Sequence, residues 1–111
     1  MILKGNDIVS KDSYYIYSYV QKSVTIKEAP ASIILYAYNG VFTVNLPKAC
    51  NSAGKFVYVR TEMATAANYA TVTAASGDRI MNGKTVVTSM KLDDYGEDLL
   101  IFSDGLFWYV C

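Results

Sequence analysis

Apolar and polar residues alternate with period two along most of this chain, in runs rich in β-branched and aromatic side chains. Successive side chains of a strand point to opposite faces, so this is strand patterning. The clearest run, SYYIYSYV (13–20), aims Tyr15, Tyr17 and Tyr19 one way and Tyr14, Ile16, Ser18 and Val20 the other. SVTIK (23–27) follows and closes before Pro30. SIILYAY (32–38), Asn39-Gly40 and VFTVNL (41–46) predict a hairpin, because Asn-Gly supplies the two positive φ angles of a type I′ turn. Pro47 has no amide hydrogen to give a ladder and ends that strand.

A small-residue loop, ACNSAG, leads into KFVYVRT (55–61), and YATVTAA (69–75) runs into Ser-Gly-Asp. KTVVTSMKL (84–92) enters the acidic turn DDYGED, and a last hairpin pairs LLIF with LFWYV across Ser-Asp-Gly. About eight short strands with turn signals at this spacing predict an all-β fold, an antiparallel sandwich or barrel. One stretch dissents: in EMATAANYA, Met63, Ala66, Ala67 and Ala70 fall at i, i+3, i+4 and i+7, which allows a turn or two of helix.

Composition adds a constraint. At 111 residues the chain makes one domain, yet hydrophobic residues reach 52 % and charged residues only 18 %, against roughly 25 % in ordinary soluble domains. A small domain cannot hide that much apolar surface alone, so association is expected. The longest apolar run, IILYAY, falls far short of the ~20 residues of a membrane helix. Lys4 and Asp7 interrupt the apolar stretch a signal peptide would need, so synthesis in a cytoplasm is expected. Cys50 and Cys111 read as free thiols, since two cysteines make no disulfide framework.

Zero net charge argues against nucleic acid as the main partner. The charge is unevenly spread: residues 1–60 hold seven Lys/Arg and three Asp/Glu (+4), residues 61–111 three and seven (−4). Turn composition explains this asymmetry, and so does attraction between opposite halves of neighbouring subunits.

The chain contains no histidine, which removes the commonest neutral-pH base, the Ser/Cys–His nucleophile pairs and most zinc sites. GDRIMNGKT (77–85) imitates a phosphate loop but has one residue too many between its glycines, and strand-forming TVVT follows where a helix is needed. Asp93, Asp94, Glu97 and Asp98 offer oxygen ligands or an acid/base pair without the spacing of a calcium loop; a solvated acidic turn accounts for them. No cofactor is expected. The ten tyrosines admit three readings: half-buried sheet packing, a subunit interface, or a platform on which sugar rings stack. Tyr15, Tyr17 and Tyr19, with Tyr36 and Tyr38 alternating similarly, are the candidates for partner or glycan contact. Phe107 and Trp108 join them: as neighbours they point to opposite faces, so if one enters the core the other needs different cover.

From Val41 onward NLPKACNSAGK, ATVTAASGDRI, NGKTVVTSM, DDYGEDLLIFSDG and WYV occur in that order. This ordered set resembles a small β-rich domain of bacteriophage fibre and spike proteins, over about 70 of the 111 residues. IMNG is one residue longer than the usual turn there, and Phe107 stands where a polar residue is common. The resemblance implies a non-enzymatic virion structural protein, a short fibre or head-decoration subunit, forming a homotrimer and contacting other virion proteins. Contact with a host-surface glycan is an expectation of the tyrosines, not of the resemblance. It covers 41–111; residues 1–40 form an N-terminal strand segment, a candidate attachment or subunit-contact region. The alternatives are a carbohydrate- or receptor-binding module built on the tyrosines, and a small carboxylate-based enzyme using the 93–98 turn.

Overall fold

The structure, a computed structural model, describes residues 15–111, with side chains from residue 21 onward. The facing of Tyr15, Tyr17 and Tyr19 therefore lies outside the described residues. The described residues form eleven strands: β1 (Tyr15–Val20), β2 (Val24–Thr25), β3 (Ala31–Tyr36), β4 (Phe42–Asn45), β5 (Phe56–Glu62), β6 (Ala70–Thr73), β7 (Ile80–Asn82), β8 (Thr85–Val87), β9 (Ser89–Leu92), β10 (Asp98–Ser103) and β11 (Trp108–Val110). They make a seven-stranded sheet in the order β1-β3-β5-β10-β11-β7-β8 and a four-stranded sheet in the order β2-β4-β6-β9. The all-β expectation holds.

The pairing is not antiparallel throughout. Among the described residues, β1–β3, β3–β5, β2–β4, β4–β6 and β7–β11 are parallel, and β5–β10, β10–β11, β6–β9 and β7–β8 antiparallel. From β1 to β6 the chain alternates between the two sheets, so each strand returns beside its predecessor but one and runs the same way. A parallel pair needs a long crossover, and here a strand of the opposite sheet serves as one.

The predicted Asn-Gly hairpin is overturned for this reason. β3 and β4 lie in different sheets, and only Asn39 of the turn has positive φ, at 60°. A type I′ turn requires two such residues. The continuous run Ile33-Ile34-Leu35 is buried throughout, as befits a central strand covered on both faces. KTVVTSMKL divides into β8 and β9, which belong to different sheets, and β7 arises from the segment read as a long turn. No helix forms at 62–70; Met63 takes φ of 61° and Ala70 starts β6. A stripe so short has no packing partner to hold it as a helix.

The buried faces of both sheets share one core. Ile33, Leu35, Val57, Val59, Leu99, Ile101 and Trp108 come from the larger sheet, and Val44, Ala70, Val72 and Leu92 from the smaller. Residues 21–40 contribute to that same cluster through Ile26, Ile33 and Leu35. No helix of the described residues is long and apolar enough to cross a membrane.

Candidate functional site

The ends of the two-sheet body differ in how their polar groups are used. At one end the loops 46–55, 74–79 and 104–107 meet around a single 3-10 turn, Ala49–Asn51. The Ala49 amide donates to Asp78 Oδ2 (2.8 Å), and the Ala49 carbonyl accepts from Ser103 Oγ (2.8 Å). Trp108 Nε1–H donates to the Pro47 carbonyl (3.3 Å), and the Trp108 amide donates to the Arg79 carbonyl. Asp104 Oδ1 takes the amides of Leu106 and Phe107, and those two donors hold its carboxyl below the usual carboxylate range. Its other oxygen accepts from Tyr109 Oη, which raises the phenol in turn. The turn motifs of the sequence thus do structural work, tying three loops together.

Trp108 is fully buried in this chain's own core and offers no surface to a partner or glycan, which corrects the expectation that it makes such a contact. The indole is the largest buried side chain here, and its one polar atom finds a carbonyl. Phe107 stays half-buried at the turn, while Leu106 beside it is 70 % exposed.

The outer face of the larger sheet carries what the sequence led us to seek elsewhere. In register across five strands stand Phe56, Phe102, Tyr109, Met81 and Val86. The Phe56 and Phe102 rings lie 5.1 Å apart. Phe56, Val86 and Leu100, the last one row along, are exposed, and Phe102, Tyr109 and Met81 are half-buried. Farther along the same face the character turns polar. Arg60 pairs with Glu62 at 2.6 Å, and Tyr58 Oη donates to Asp98 Oδ2 at 2.9 Å. Partial burial, then the Asp98 carboxylate, push the Tyr58 phenol up.

At the opposite end, loops 37–41, 63–69 and 93–97 surround a cleft of about 300 Å³ lined by Ala37, Tyr38, Asn39, Met63, Thr65, Asn68 and Tyr95. Tyr38 is 53 % and Tyr95 73 % exposed. Asn39 and Met63 are the two non-glycine residues with positive φ among the described residues, and both line this cleft. Thr65 Oγ1 accepts the amides of Ala67 and Asn68, which fixes that loop. Beyond Tyr38, the sequence pattern did not single these residues out for binding. Each wall does carry a Tyr or Asn beside a turn (Tyr38-Asn39-Gly40, Asn68-Tyr69, Tyr95-Gly96), but only the crossovers between sheets bring the three together.

The acidic turn forms one wall of the same end. Carboxylate oxygens of Asp93, Asp94 and Glu97 lie within 4.8 Å of one another. Glu97 Oε1 accepts the amides of Asp93 and Asp94, so the cluster stabilises its own turn. Asp98 is turned away to Tyr58. The segment read as a phosphate-loop imitation is the β7–β8 hairpin, with Gly83 at φ 61° in its turn. Cys50 and Cys111 are both exposed and unpaired.

Compared with protein-family models and with curated proteins, the chain matches none.

Proposed function

We propose that this chain is a non-enzymatic structural subunit of a bacteriophage particle, a short fibre or head-decoration protein. In this reading it assembles as a homotrimer through the outer face of its larger sheet. The observation carrying the assembly is the in-register row Phe56, Phe102, Tyr109, Met81 and Val86, flanked by Leu100. Isolated apolar residues on a surface are ordinary; a contiguous row of them, with aromatic rings among them, is typical of a face that meets another protein. The virion assignment draws its support from the ordered turn motifs. The absence of histidine supports a role without catalysis.

Sedimentation equilibrium at micromolar concentration tests the assembly. The expected particle has three times the 12.3 kDa chain mass, and Phe56→Glu with Leu100→Lys reduces it to a folded monomer. A wild-type protein that sediments as a monomer overturns the trimer. Antibody labelling of purified particles tests the location: label on heads or fibres is expected, and unlabelled particles overturn the virion role.

A further inference from the structure

We infer that the cleft between Tyr38 and Tyr95 is a binding site for a neutral saccharide. Its volume of about 300 Å³ lies at the lower end of small-ligand pockets, roughly 300–1,000 Å³. Two features of the lining select the ligand. Tyr38 and Tyr95 are exposed aromatic side chains of the kind on which the C–H face of a pyranose stacks, and their hydroxyls make no hydrogen bond among the described residues. The side-chain amides of Asn39 and Asn68 are likewise unengaged, and each offers both a donor and an acceptor. A hydroxyl-rich ring needs that combination, an apolar face to stack on and paired donor–acceptor groups at its edge.

No charged side chain lines the cleft, so it has nothing to balance a charged ligand. The neighbouring carboxylates of Asp93, Asp94 and Glu97 would repel an anionic sugar. The backbone agrees. Non-glycine residues at positive φ cost conformational energy, and they gather at sites that must hold a particular shape. Asn39 and Met63 do so on two neighbouring loops that line this one cleft.

The test uses the full chain and three neutral probes, maltohexaose, cellohexaose and N-acetylchitohexaose, with sialyllactose as the anionic comparison. Amide NMR spectra are recorded during titration. At least one neutral probe is expected to shift the amides of residues 37–39, 65–68 and 95, with sialyllactose weaker. Tyr95→Ala weakens binding about tenfold, in keeping with loss of one aromatic stacking surface. Tyr95→Phe retains most of the affinity, and Asn68→Ala weakens it. Tyr95 is on an exposed turn, so an unchanged spectrum elsewhere reports that the variant is folded. No response to any neutral probe, a response centred outside the cleft, or preference for sialyllactose overturns the inference. The outcome is independent of the oligomeric state, because the cleft lies at the loop end and the apolar row on the sheet face.

Discussion

The two ends of this molecule are built from similar materials, tight turns rich in Asn, Asp, Ser and Gly, and put them to opposite use. Around Ala49, Asp78, Ser103, Asp104 and Trp108 each direct a polar atom to a partner, and the side chains of Ser103 and Trp108 are fully buried. Around the cleft, the side-chain polar atoms of Tyr38, Tyr95, Asn39 and Asn68 make no hydrogen bond among the described residues. Buried polar groups must be satisfied, so the first end is fixed by its hydrogen bonds. The second is held at its backbone amides, which donate to Thr65 Oγ1, to Glu97 Oε1 and, from Ala37, to the Glu62 carbonyl. Its side chains are left for a ligand.

That contrast can be broken most forcefully at Trp108. Trp108→Ala empties the largest buried volume and strips the Pro47 carbonyl of its donor. Urea unfolding is expected to show a loss of about 3–5 kcal/mol; a loss near zero would mean the indole does not anchor that end. Ser103→Ala comes next. It removes one of two donors to the Ala49 carbonyl, which keeps the Ser52 amide, and the acceptor for the Gly105 amide, for an expected loss of about 1–3 kcal/mol in the same measurement.

Asp104 gives a pH test. Its folded pKa lies below the unfolded value because two amides stabilise the carboxylate. The stability it contributes is complete above the unfolded carboxylate range, about pH 4, and fades as pH falls through the folded value. Unfolding curves from about pH 5 downward should fall less steeply for Asp104→Asn than for wild type. Parallel curves would remove Asp104 from the account. The smallest stability effect is expected at the other end: Tyr95→Ala should stay within about 0.5 kcal/mol of wild type. A larger loss would make the Tyr95 ring a packing element and erase the distinction between the ends.

Legibility divides along a related line. The β10–β11 hairpin was readable because Ser103-Asp104-Gly105 carries its own turn chemistry, with Gly105 at φ 97° and Asp104 capping two amides. The β3–β4 connection was misread because Asn39-Gly40 promises a reversal within one sheet, while the buried run of β3 is demanded by β1 and β5 on either side. Those partners are remote in sequence: Ala31 stands opposite Tyr15 and Val57. Trp108 could be assigned to one of two faces but not to a particular one, since adjacent strand residues alternate and nothing local marks the inner side.

Alternation and turn residues are local properties, and they were enough to give the all-β class and the places where most strands fall. Tertiary structure alone decided the parallel winding between two sheets, the aromatic row across the outer face and the meeting of Tyr38, Asn68 and Tyr95. Each depends on which distant segments pair, and pairing is chosen by burial of the whole core rather than by any one stretch of chain.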